Sequence, residues 1–199
     1  MKSSLKISCA LTLALLAGGA SAAPIYWMDW TGSDQDPGVG FIGSGTITTP
    51  TSTVNVTYTN ARGIAFYQAA GGTYYYSNGS DGPAGTSPYT SAQVDNRPPT
   101  ADIVALQYAG TQSLVFSQAI ANPVFAFVSL NGNGYGFDQD FDILSFGGAD
   151  GNACGYWGCG TSYKNIVTVN GKTEYQLLGT GEPHGTLRFT GTFDTVSWR

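Results

Sequence analysis

Residues 52–60 read STVNVTYTN, with Val54, Val56 and Tyr58 alternating against Thr53, Asn55 and Thr57. A period of two sends successive side chains to opposite faces, so the stretch fits a strand with one oily side and one wet side. The pattern recurs. SLVFSQAI sets Leu114 and Phe116 on one side, and PVFAFVSL pairs Phe125 with Phe127. NIVTVNGKTEYQLL carries Val167 and Val169, then Asn170-Gly171, then Tyr175 and Leu177. Asn-Gly between two alternating runs predicts a hairpin, because both turn residues must take positive φ. In GTLRFTGTFDTVSW the alternation of Leu187, Phe189, Gly191 and Phe193 slips by one before Val196 and Trp198. Such a slip predicts a bulge or a bend. TADIVALQYAG is the one stretch with a helical alternative, and its Val and Ile favour a strand.

Many short strands punctuated by Gly, Asn and Pro imply an all-β fold, a two-sheet antiparallel sandwich of jelly-roll-like type. The segment from Gly71 to Pro99 has no periodicity and is expected to be a long loop, functional or poorly ordered.

The first residues, MKSSLKISCALTLALLAGGASAAP, combine a basic start (Lys2, Lys6), an apolar stretch (Ala10 to Ala17) and a small-residue site before Pro24. Residues 1–23 are therefore expected to be a secretory signal peptide and 24–199 a single β-sandwich domain. The formal charge is −5 with no basic cluster, which leaves no electrostatic footprint for nucleic acid. No segment after the leader is apolar and long enough to span a membrane as a helix. Cys154 and Cys159 lie beyond the leader in ACGYWGCG, and in an oxidising compartment they are expected to form a local disulfide. Zinc would need further ligands, and His184 is the only histidine.

Three groups of residues invite a chemical role. Asp138, Asp140 and Asp142 would share one face of a strand, either as a solvated polar surface or as a calcium site completed by Asn131 or Asn133. An EF-hand loop is ruled out: Ile143 stands where its glycine belongs, and no glutamate occupies the twelfth position. A glycosidase would need two carboxylates flanking a sugar bond, and Glu182 with an aspartate is the available pair. The turn-forming company of Pro183, His184 and Gly185 instead predicts an exposed turn there. A Ser-His-acid hydrolase finds no G-x-S-x-G elbow. The third group is aromatic: Tyr74, Tyr75 and Tyr76 in the long loop, and Tyr156 and Trp157 between the cysteines. Three consecutive tyrosines cannot all enter one core from a strand, so at least one is exposed or borne on a loop. Exposed Tyr and Trp offer flat apolar faces with polar tips, suited to binding; the alternative for these five is packing beneath a loop.

The stretches IYWMDWTGSDQDPGVGFIGSGTIT, TVNVTYTN, PVFAFVSLNGNGYGFDQDFDILSFG and YQLLGTGEPHGTLRFTGTFDTVSW resemble the ectodomains of PEP-CTERM sorting-domain proteins. These are exported proteins of Gram-negative bacteria, many of which produce biofilm and exopolysaccharide. The resemblance implies an all-β surface or matrix protein, secreted to the periplasm or beyond; the loop aromatics are expected to contact polysaccharide or other envelope components. It carries over no catalytic residue and no cofactor. The sequence departs from that family after Trp198-Arg199, where a further strand and a sorting tail would follow. The expectation is a released or truncated form, with a sheet edge or apolar face left uncovered by the missing strand. Two functions remain beside a non-catalytic binding protein: a secreted carbohydrate-active enzyme and a calcium-stabilised module.

Overall fold

The computed structural model of the chain describes residues 24–36, 40–77, 87–131, 133–146 and 154–199. The signal-peptide expectation falls on residues outside these. Every regular element among the described residues is a strand. In chain order they are β1 (Met28–Asp36), β2 (Gly40–Thr48), β3 (Thr53–Asn60), β4 (Phe66–Gln68), β5 (Ile103–Ala105), β6 (Gln112–Ala121) and β7 (Val124–Phe127). Then follow β8 (Gly134–Phe137), β9 (Phe141–Phe146), β10 (Cys154–Gly155), β11 (Gly158–Val169), β12 (Lys172–Gly181), β13 (Gly185–Phe189) and β14 (Thr192–Trp198). A nine-stranded sheet runs β1-β2-β3-β6-β14-β8-β12-β11-β10, beside a three-stranded sheet β7-β13-β9 and a ribbon β4-β5. Their pairings are antiparallel.

The alternation in β3 is realised side chain by side chain. Val54, Val56 and Tyr58 are buried while Thr53, Asn55 and Thr57 face solvent. The Asn170-Gly171 turn joins β11 to β12 with both residues at positive φ (51° and 77°), and Val169 sits opposite Lys172. The phase slip in the last stretch has two structural causes. The chain leaves the small sheet at Phe189 and enters the large one at Thr192. The register then shifts between Phe193 and Thr195, a bulge that turns Val196 and Trp198 inward.

The second layer of the sandwich comes in two pieces, both on the oily face of the large sheet. The β7-β13-β9 sheet brings Phe125, Phe141 and Phe189 onto Phe137 of β8, with ring centroids 5.0 to 6.1 Å apart. The β4-β5 ribbon brings Tyr67 against Trp30 and Phe41 at 5.7 and 5.3 Å, and the Tyr67 hydroxyl donates to the Gly32 carbonyl. Fully burying side chains of this size contributes roughly 1.5–3 kcal/mol each, so the aromatic layer dominates the stability of the fold. The jelly-roll part of the expectation finds no support in this strand order, which is nine strands faced by three and two. β14 is not an edge: it pairs with β6, and Arg199 exchanges two main-chain hydrogen bonds with Gly136 on its other side. The ends of the large sheet are β1 and β10.

Candidate functional site

The cysteines build the first part of the site. Cys154 and Cys159 are disulfide-bonded and stand directly opposite each other in the β10–β11 pairing, their Cα atoms 3.9 Å apart. Their hairpin turns at Tyr156 and Trp157, which are 41% and 45% exposed. Gly155 lets this hairpin lie flush on the fold, because a Cβ there would fall 2.3 Å from the His184 ring. Tyr75 arrives from the long loop and stacks on Trp157 at 4.5 Å and 21°, with Tyr156 edge-on at 5.0 Å. Phe66 of β4 backs Tyr75 at 5.6 Å. Two aromatic groups about eighty residues apart in sequence thus form one patch.

Tyr74 and Tyr76 do not join that patch. The Tyr74 hydroxyl donates to the Pro98 carbonyl at 2.5 Å, and the Arg97 guanidinium lies 5.1 Å from its ring centre. Tyr76 is buried, donates to the Asp102 carbonyl and meets Tyr89 edge-on at 5.3 Å. Burial pushes the Tyr76 phenol well above its ordinary range. Tyr76 is a packing residue, and Tyr89, fully buried, carries the contact on to His184.

Beneath the hairpin lies a polar cluster. Residues 182–185 are not the exposed turn that their turn-forming composition predicted: Pro183, His184 and Gly185 are buried, His184 completely. The Glu182 amide donates to the Cys159 carbonyl, tying this segment to the disulfide. The Glu182 carboxylate accepts from the Ser129 hydroxyl and from the Asn131 amide, oriented with its nitrogen towards the acid. Ser129 and Asn131 both hold positive φ of 53°, a conformation uncommon outside glycine. The His184 Nδ1 faces two donors, the Ser129 main-chain N–H and the Tyr89 hydroxyl. The neutral ring therefore carries its proton on Nε2, which has no partner of normal hydrogen-bond geometry among the described residues. Burial drives the His184 pKa down to about 4, and the Gly158 main chain opposes this without reversing it.

Ser129, His184 and Glu182 are the components of a nucleophilic triad, but they are wired differently. The serine hydroxyl goes to the carboxylate, and only its amide reaches the imidazole. A triad needs the imidazole between hydroxyl and acid, so this arrangement holds a loop in place and activates no nucleophile.

The patch and the cluster border a hollow of about 910 Å³ in the seam between the two covering layers. Leu114, Phe116, Val196 and Trp198 of the large sheet form its floor, with Val104 and Phe125 from the two covers. Trp157, Ser129, Asn131 and Glu182 lie along one rim, and Asp102 also lines it. Asp102 accepts from the Trp30 amide at 3.0 Å; burial first, and then Asp29 nearby, raise its pKa.

The three aspartates are elsewhere and apart from one another in their contacts. Asp138 and Asp140 occupy the corner between β8 and β9 rather than one face of a strand. Asp138 accepts from the Ser197 amide, Asp140 pairs with Lys164 at 2.9 Å, and Asp142 on β9 pairs with Arg188 at 3.5 Å. Among the described residues no three His, Cys, Asp or Glu side chains converge as metal ligands. Composition gave no sign of Ser129, Tyr89 or Asp102, and Asn131, expected beside the aspartates as a calcium ligand, bonds Glu182 instead. Each gains its place through a contact distant in sequence. Comparison of the chain with family models, curated proteins and solved structures finds no match.

Proposed function

We propose that this chain is a non-catalytic, exported surface or matrix protein that binds polysaccharide on the Tyr75–Tyr156–Trp157 patch. The observation that carries this reading is the meeting of two remote aromatic groups at an exposed position, pinned by a disulfide. Aromatic rings offer flat apolar faces to the C–H faces of a sugar ring, and the carboxylate, hydroxyl and amide of Glu182, Ser129 and Asn131 stand nearby for its hydroxyls. The resemblance to exported bacterial surface proteins and the disulfide support the location. Calorimetric titration against a panel of bacterial exopolysaccharide fragments tests the proposal. A binder should emerge, and Trp157→Ala should weaken it by at least about tenfold, since aromatic anchors carry most of such affinity. Absence of any binder, or affinity unchanged in both Trp157→Ala and Tyr75→Ala, would overturn it.

An enzymatic reading has one observation in its favour: Glu182 and Asp102 line the same hollow, and Asp102 holds its proton more tightly than an ordinary aspartate. Acid–base cleavage of a glycosidic bond uses two carboxyl groups, one of which holds its proton. Polysaccharide hydrolysis that disappears in Glu182→Gln would establish it; hydrolysis that survives would remove Glu182 from the reaction.

A further inference from the structure

The hollow between the sheets has a chemistry distinct from the patch at its rim. Protein interiors keep few voids larger than a water molecule, because an unfilled space forfeits the contacts of everything around it. At about 910 Å³ this one is instead the size of a ligand pocket. Its walls are aromatic and aliphatic, and all four tryptophans of the chain (Trp27, Trp30, Trp157 and Trp198) line it. The Trp198 indole N–H is buried and has no acceptor among the described residues.

Charge decides what would fill it. Among the described residues that line the hollow there is no Lys, Arg or His, and there are two carboxylates, Glu182 and Asp102. A fatty acid or other anion would bury its charge beside these acids with no cationic side chain among the described lining residues to pair with, which is costly. An ammonium or hydroxyl head would find the Glu182 carboxylate as acceptor, and an ammonium would also gain from the Trp157 ring.

We propose that the hollow binds an amphiphile with an apolar tail and a hydrogen-bond-donating, uncharged or cationic head, and rejects the corresponding carboxylate. The tail lies on Leu114, Phe116 and Trp198, and the head lies at the rim by Glu182. This site shares Glu182 with the glycan reading but does not depend on it, because that reading rests on the outer faces of Tyr75, Tyr156 and Trp157.

The test uses the full disulfide-bonded chain and three ligands of equal tail, octylammonium, octanol and octanoate, below their micellar concentrations. Binding is read by calorimetry and by tryptophan fluorescence. Octylammonium is expected to bind saturably at one site, octanol more weakly, and octanoate at least about tenfold more weakly than octylammonium, the factor that one partnered charge readily supplies. Leu114→Phe, which fills part of the floor, should weaken octylammonium and octanol together. Glu182→Gln should erase the preference for octylammonium over octanol while leaving octanol bound. Absence of saturable binding, octanoate binding as tightly as octylammonium, or a preference unchanged in Glu182→Gln would overturn the proposal. Should Leu114→Phe fail to fold, the ligand order and Glu182→Gln still decide it. Glycan titration of Trp157→Ala and Tyr75→Ala is scored separately, so either reading can fail alone.

Discussion

The two halves of the sandwich use the same large sheet and are finished differently. Under β7-β13-β9, Phe137, Phe141, Leu187 and Phe189 are at most 1% exposed and the rings interlock edge to face. Under β4-β5 the cover is two strands of three residues each, and the seam beside it stays hollow. Phe125 and Phe189 mark the boundary, each packed against Phe137 and each lining the hollow. The contrast teaches that closure here depends on the length of the covering strands. A three-residue strand presents only one or two side chains inward, too few to fill the space above β3 and β6.

That contrast can be broken most directly by truncating one residue in each half. Phe137→Ala should cost about 4 kcal/mol, because its site is packed on every side and cannot collapse. Leu114→Ala, at the floor of the hollow, should cost about 2 kcal/mol, having already lost contacts on one side. Urea unfolding of both variants measures the gap, and equal costs would mean the hollow is filled or collapsed in solution.

The polar cluster under the hairpin sharpens the comparison through pH. In the folded protein the His184 pKa is about 4, against an ordinary 6.5 in the unfolded chain. Between those values the unfolded chain binds the extra proton, so His184 destabilises the fold progressively as pH falls from 6.5 to 4, by on the order of 3 kcal/mol. Above pH 6.5 it imposes no penalty, and below pH 4 the penalty is complete. The stability difference between pH 7 and pH 4.5 should shrink in His184→Gln, and an identical slope in that variant would show the imidazole to be solvated.

The smallest of the three effects concerns the disulfide. Opening a loop this short, as in the Cys154→Ser/Cys159→Ser pair, should cost about 2 kcal/mol by chain entropy. It should also loosen the Tyr75–Trp157 stack without disturbing the Phe137 half. Near-ultraviolet circular dichroism, with urea unfolding alongside, reads both, and an unchanged aromatic signal would show that Tyr75 and the rest of the fold hold the patch unaided.

Much of this architecture could be read from the order of residues. Val54, Val56 and Tyr58 pointed inward as their spacing required, Asn170-Gly171 turned as its side chains allow, and the slip before Val196 became a bulge. The candidate site was legible only in part. Tyr75, Tyr156 and Trp157 read from sequence as aromatic loop residues, but nothing local places them together or sends Tyr76 inward instead. His184 misled because Pro and Gly neighbours look like a surface turn, while the disulfide hairpin that covers it is remote from the tyrosine, Tyr89, that hydrogen-bonds it.

The chain alone determined the strands, the hairpin at Asn170-Gly171 and the Cys154–Cys159 closure, because period, turn geometry and short-loop pairing act over a few residues. Tertiary structure alone decided that the second layer would be split, that Glu182 would bond Ser129 and Asn131, and that a hollow would remain between the covers. Those outcomes depend on which surfaces meet across dozens of residues, and a side chain's partner at that range is set by packing rather than by its neighbours in sequence.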